Sequence, residues 1–135
     1  MAECIFCKIA FGEISSNKIY EDDKTFAFLD IAPVSKGHAL VIPKQHAEKV
    51  YEMSNESAEA LIKAVQKVGL ALEKTFNCDF NVLNNNGELA GQEVRHVHFH
   101  IIPRTGEEEF RFNWPSKKYA GGEDRKILER IKGNL

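Results

Sequence analysis

The segment HVHFHII, His96 to Ile102, holds three of the five histidines of this 135-residue chain, each alternating with a large apolar residue. Such alternation fits an extended strand, in which His96, His98 and His100 share one face while Val97, Phe99 and Ile101 share the other. The apolar face has a core to join, and the histidine face calls for chemistry. Geometry opposes one metal ion held by all three, because His96 and His100 would stand about 13 Å apart along a strand. Isolated surface or core histidines explain any one member more easily than three in register. A row of imidazoles facing a phosphate fits better: neutral imidazole at pH 7 attacks phosphorus and leaves it again, while its neighbours bind oxygen or orient the nucleophile.

Directly before this row lies NNNGELAGQEV, Asn84 to Val94, with three asparagines, two glycines and a glutamine. These residues offer amide donors and close backbone approach. An Asn-Gly turn alone is a hairpin signal. Leading into the histidines, it reads as a phosphate cradle in a chain without a glycine-rich nucleotide loop of the usual kinds. The pair Cys4-x-x-Cys7 is a second candidate site. Two thiolates can share a tetrahedral ion, but a closed site needs two further ligands, for which His38, His46 and the strand histidines are available. A thioredoxin-like redox pair should follow a strand in a βαβ setting, and only three residues precede Cys4. Two unmetallated thiols are the plain alternative, and Cys78 reads as a lone structural or surface thiol.

The elements that must position these groups read as short strands around one long helix. Lys18–Glu21 and Thr25–Leu29 flank the turn Asp22-Asp23-Lys24, and His38–Ile42, closed by Pro43, forms a third strand. Leu61, Val65, Val68, Leu72 and Phe76 recur at helical spacing after Ser54, a candidate N-cap, with Glu56 and Glu59 near the positive helix end. Phe80–Leu83 is a fourth strand, Asn84–Gly91 a polar turn and Val94–Ile102 the fifth strand. Glu123–Ile131 can form a terminal helix. With 43% hydrophobic and 28% charged residues, residues 1–135 suit a single domain with a real core. A net charge of −2 provides no broad basic surface for nucleic acid. There is no apolar run of membrane-spanning length and no signal-like start, so a cytoplasmic protein is expected. Three cysteines are too few and too uneven for a disulfide framework.

HVHFHII matches the alternating signature of the histidine triad superfamily. CIFCKIAFGEI, FAFLDIAPVSKGHALVIPKQH and NNNGELAGQEVRHVHFHIIPR resemble the same family in order and spacing, over residues 4–104. The likeness is to the Hint-type nucleotide-binding branch, particularly members that begin with Cys-x-x-Cys. It implies an α+β fold: a five-stranded antiparallel sheet with a long covering helix and a short C-terminal helix, continued as a ten-stranded sheet across a homodimer.

The resemblance also implies roles. His98 would attack the α-phosphorus of a purine nucleotide conjugate and form a covalent nucleotidyl-imidazole that water hydrolyses, with no metal required. His100 would bind phosphate oxygen, His96 would orient its neighbours, and His38 would stand buried behind the triad. Asn85 would lie near ribose and phosphate, backbone groups around Gly91, Gln92 and Glu93 would border the phosphate, and Asp30 would accept the ribose hydroxyls. Phe6, Ile9, Phe28 and Ile31 would form the apolar purine slot. Relatives with the cysteine pair imply a structural zinc on Cys4, Cys7, His46 and His96. Glu93 departs from the branch, standing where many members have serine, and this leaves the leaving group open. An AMP phosphoramidate-like substrate is the first expectation. A dinucleoside polyphosphate, or a dimeric nucleotide-binding module with incidental catalysis, is the alternative. Trp114-Pro115 lies where some relatives bring their tails near the partner's site.

Overall fold

The computed structural model describes residues 3–135. Helix α1 (Ile5–Ala10) opens the described chain, followed by β1 (Lys18–Glu21), β2 (Thr25–Leu29), β3 (Ala39–Pro43), α2 (Asn55–Phe76), β4 (Asp79–Asn84), β5 (Phe99–Arg104) and α3 (Glu123–Lys132). The strands form one antiparallel sheet in the order β1-β2-β3-β5-β4. The expected α+β architecture is therefore present. No helix among the described residues is long and apolar enough to cross a membrane.

The alternation of the strands decides what each sheet face holds. Ala27, Ala39, Val41, Val97 and Ile101 point to one face, where they pack with Leu61, Ala64, Val65, Val68 and Leu72 of α2. Each of these buried α2 leucine and valine side chains contributes about 1.5–3 kcal/mol. Ser54 caps α2 by accepting the Ser57 N–H at 3.1 Å, and Asn77 ends the helix in the left-handed conformation. The opposite face carries Phe26, Phe28, Leu40 and Ile42, covered by Phe6, Ile9 and Ala10 of α1. Because Val97 and Ile101 belong to the α2 face, the histidines between and beside them are directed to the α1 face.

Two strand boundaries need correction. The third strand begins at Ala39, leaving His38 just outside it. The fifth begins at Phe99, not Val94, so only His100 of the triad lies within a strand. Residues His96 to His98 leave the regular ladder; the Val97 N–H donates to the Ala47 carbonyl at 2.8 Å, and the His96 carbonyl is taken by a side chain. Helix α1 was not expected, since six residues are too few for a periodic pattern. It forms because the Cys4 sulfur accepts the Cys7 N–H at 3.4 Å and its inner side buries Phe6, Cys7, Ile9 and Ala10.

Beyond β5 the chain is tied down by Arg104, which donates to Glu108, Asn81 and the Phe110 carbonyl at 2.6–2.8 Å. The terminal helix is present as expected, and none of its residues is buried.

Candidate active site and metal cluster

Two sites share the α1 face, and His96 belongs to both. Its imidazole is fully buried. Nε2–H donates to the Pro43 carbonyl at 2.8 Å, which leaves Nδ1 as a lone-pair donor. That atom lies 3.3 Å from Cys4 Sγ, 3.6 Å from Cys7 Sγ and 3.2 Å from His46 Nδ1, and Cys7 Sγ lies 3.4 Å from His46 Nδ1. A tetrahedral zinc with bonds of about 2.3 Å to sulfur and 2.0–2.1 Å to nitrogen sets its ligand atoms about 3.3–3.8 Å apart. The four donor atoms already stand close to that spacing, all within 4.8 Å of one another. The Cys2His2 donor set thus fits the ion that the family likeness implies. Burial and the Cys4 sulfur push the Cys7 thiol up to about 11, and burial brings His96 down to about 4, so the imidazole is a neutral ligand at pH 7.

The second site is the rest of the triad. His98 is buried, and its Nδ1–H donates to the His96 carbonyl at 2.7 Å. The lone pair therefore resides on Nε2. Burial lowers the proton affinity of His98, with partial offset from that hydrogen bond and from Asp30 and Glu93, so the ring is neutral at pH 7. Behind it, the hydrogen-bond chain sets each tautomer in turn. The Val34 N–H donates to His38 Nδ1 at 3.1 Å, so the His38 hydrogen sits on Nε2. That hydrogen faces His100 Nδ1 at 2.9 Å, which makes His100 an acceptor inward and an Nε2–H donor outward. Burial and the neighbouring His98 and His38 bring His100 to about 4, so it donates as a neutral ring. The geometry supplies an imidazole nucleophile and, with ring centroids 5.0 Å apart, a hydrogen-bond donor beside it.

The polar loop is closed by its own hydrogen bonds. The Gly91 N–H donates to Glu88 and the Gln92 N–H to Gly87, so both are consumed inside the loop. The Gln92 side chain is buried, accepting the Gly87 N–H at 2.8 Å and donating to the Glu48 and Val94 carbonyls. Asn85 donates to the Gly91 carbonyl at 3.3 Å. Gln92 and Asn85 therefore shape the loop, and Gly91, with φ +92°, makes its last turn. Asn84 was not singled out in the sequence; it donates to the His98 carbonyl at 3.1 Å and so holds the nucleophile from its other side. Nothing in the local sequence marked it for this role before the pairing of β4 with β5 was known. Glu93 is exposed.

Of the four apolar slot candidates, three come together. Phe6 meets Phe28 edge-on at 5.6 Å and His98 at 5.1 Å, and Ile9 lies in the same buried cluster. Ile31 lies apart at 95% exposure. Asp30, partly buried beside it, accepts the Ala32 N–H at 2.9 Å through Oδ1, while Oδ2 stands 3.6 Å from His38 Nε2.

Comparison with known proteins gives the family. The HIT domain profile matches residues 11–107. An adenosine 5′-monophosphoramidase of Schizosaccharomyces pombe is 47% identical over 98% of this chain and 98% of its own length. A crystal structure of a HIT family member from Bacillus subtilis superposes with a TM-score of 0.93 at 47% identity, covering 98% of this chain and 97% of that one. A zinc-bound histidine triad family protein from Mycobacterium smegmatis does so with a TM-score of 0.75 at 30% identity, covering 99% of each chain. From the triad geometry, the sheet and these likenesses together, this chain belongs to the HIT family.

Proposed function

We propose that the chain is a nucleotide hydrolase that cleaves the α-phosphate bond of purine nucleotide conjugates, with AMP phosphoramidate-like compounds as its first substrate class. The observation that carries this reading is the division of labour between two neutral imidazoles: His98 presents a lone pair on Nε2 and His100 presents a hydrogen on Nε2. The phosphoramidase relative supports the substrate class.

His98 Nε2 attacks the α-phosphorus as the bond to the leaving nitrogen breaks, and the leaving group departs as an amine after taking a proton from solvent, which the later attack of water returns. The His98 Nδ1–H bond to the His96 carbonyl stabilises the positive charge that develops on the ring. The His100 Nε2–H binds a phosphate oxygen. Water then attacks phosphorus, the phosphorus–imidazole bond breaks, and nucleoside monophosphate and free His98 result. Phe6, Ile9 and Phe28 flank the base, and exposed Ile31 offers apolar surface that a bound base would cover. Asp30 accepts the ribose hydroxyls. Exposed Glu93 lies near the leaving group, where its charge opposes an anionic one and suits an amine.

Cys4, Cys7, His46 and His96 would hold a zinc ion, which supplies structural cross-linking of α1 to the segment before β5. The two remaining assignments are a homodimer, which supplies a partner for an edge of the sheet, and a cytoplasmic location. The activity is tested by turnover of adenosine and guanosine phosphoramidates, diadenosine polyphosphates and nucleotide sugars by wild type and His98→Asn. Phosphoramidates should be cleaved fastest, and only by the wild type; comparable wild-type turnover of the polyphosphates would move the assignment to that class.

A further inference from the structure

The triplet Asn84-Asn85-Asn86 divides its work. Asn85 closes the polar loop through the Gly91 carbonyl, whereas Asn84 and Asn86 form a hydrogen-bonded line to the backbone of the nucleophile. The line begins at Val50, whose N–H donates to Asn86 Oδ1 at 2.7 Å. Asn86 Nδ2 donates to Asn84 Oδ1, and Asn84 Nδ2 donates to the His98 carbonyl at 3.1 Å. Both ends are main-chain groups of fixed sense, since an N–H can only donate and a C=O can only accept. The two amides between them are therefore satisfied in one orientation alone. Turning either one sets donor against donor at one of its junctions and acceptor against acceptor at the other.

The same short segment also holds the other flank of the nucleophile. Three residues before Val50, the Ala47 carbonyl accepts the Val97 N–H at 2.8 Å. That N–H belongs to the peptide group whose carbonyl accepts from His98 Nδ1. Residues 47–50 thus fix the His96–Val97 peptide directly and the His98–Phe99 peptide through two side-chain amides. His98 needs both ties because it precedes the first ladder pairs of β5, which are made by Phe99 with Val41 and Asn84.

We infer that Asn86 is a positioning residue for the phosphorus-transfer step: it orients Asn84 so that a donor meets the His98 carbonyl, and so fixes the main chain from which Nε2 is aimed. The inference rests on the reading above that His98 is the nucleophile. A misplacement of about 1 Å at a reacting atom costs on the order of a hundredfold in rate. The apolar slot of Phe6, Ile9 and Phe28 is built by α1 and β2, so the effect of Asn86 belongs in kcat and not in KM.

Asn86→Asp keeps the size of the side chain and its acceptor for Val50 but removes the donor to Asn84. Asn84 then turns its Nδ2 to the carboxylate, and its Oδ1 is set against the His98 carbonyl. Asn86→Ala deletes the link and leaves Asn84 free to go on donating. A merely structural role ranks the isosteric change as the milder one, and the relay ranks it as the more severe.

The test assays wild type, Asn86→Asp and Asn86→Ala on adenosine 5′-phosphoramidate, with zinc content matched. Relative to wild type, kcat should fall about tenfold in Asn86→Asp and about two- to threefold in Asn86→Ala, with KM within about twofold. The larger deficit should persist at high salt, which would screen a simple effect of the added charge. In substrate-free protein the 13C signal of the His98 carbonyl should move in Asn86→Asp, where the carbonyl loses its donor, and stay near wild type in Asn86→Ala. Asn84→Asp places a carboxylate directly against that carbonyl and should reproduce the kcat loss and the moved signal, which keeps the test decisive if Asn86→Asp fails to fold. The carbonyl signal needs no turnover, so it judges the relay separately from the substrate class; a wild type inactive on phosphoramidates removes the functional reading alone. Asn86→Asp as active as Asn86→Ala, a deficit abolished by salt, or an unmoved carbonyl signal overturns the relay.

Discussion

The Nδ1–H of His98 is bonded at 2.7 Å to the main-chain carbonyl of His96, whose own ring faces the cysteine cluster. One residue thus offers its imidazole to the metal donors and its backbone to the nucleophile. The carbonyl is available because His96 precedes the first ladder pair of β5, Phe99 with Val41.

His98→Asn removes the attacking nitrogen but none of the apolar surface of Phe6, Ile9 and Phe28. Turnover should be abolished, while nucleotide binding by calorimetry and the melting temperature stay close to wild type. Rapid-quench mass spectrometry should find a nucleotidyl adduct on wild type and none on the variant. More than a few per cent residual turnover would rule out covalent catalysis by this residue.

Protein purified without chelators should contain close to one zinc per chain. Cys4→Ser combined with Cys7→Ser should lose the metal and lower the melting temperature, because α1 is then no longer cross-linked to His46 and His96. Metal-free Cys7 holds its proton up to about 11, so zinc binding must expel protons and apparent affinity should rise with pH. Full zinc occupancy in a His46→Ala, His96→Ala double variant would remove the assignment.

Activity needs His98 unprotonated. Burial lowers its pKa from 6.5, so the acid limb of kcat/KM should fall below that value and the profile should be level through pH 7. For stability the sign follows from His100. Its folded value is about 4 against 6.5 for the free side chain, so the unfolded chain binds the extra proton. Its contribution is complete above pH 6.5 and is lost as pH falls toward about 4. Denaturant midpoints measured across that range should decline with acidification, and less so in His100→Gln.

Gly37 has φ +89°, and a Cβ there would run into the Phe76 ring. Gly37→Ala combines left-handed strain with a clash and should cost about 2–4 kcal/mol in chemical denaturation. It should also disturb the loop that brings Val34 N–H to His38, and with it kcat. A stability change below about 0.5 kcal/mol would show that the turn relaxes freely.

The sheet ends at β1 and β4, each with one unpaired edge. Val82 on β4 is 44% exposed, which suits continuation of the sheet into a second copy. Sedimentation at micromolar concentration should give twice the 15.3 kDa chain mass, and a single 15.3 kDa species would contradict the homodimer.

Local periodicity was enough to read the β1–β2 hairpin, the 22-residue α2 with its Ser54 cap, and the direction of Val97 and Ile101 toward the core. Each depends on neighbours in sequence, where strand or helix geometry leaves few choices. The triad was legible for the same reason, since a period of two places alternate side chains together whether or not the ladder is regular. Tertiary structure alone decided the rest. Cys7 and His46 are 39 residues apart and Cys4 and His96 are 92 apart, and no local pattern encodes that meeting. The tautomers of His38 and His100 depend on the Val34 amide, a backbone group that every non-proline residue carries and that no motif marks. Likewise, the exposure of Ile31 and the hold of Asn84 on the His98 carbonyl follow from how the loop after β2 and the β4–β5 pair are packed, because burial and hydrogen-bond partnership are properties of the assembled fold.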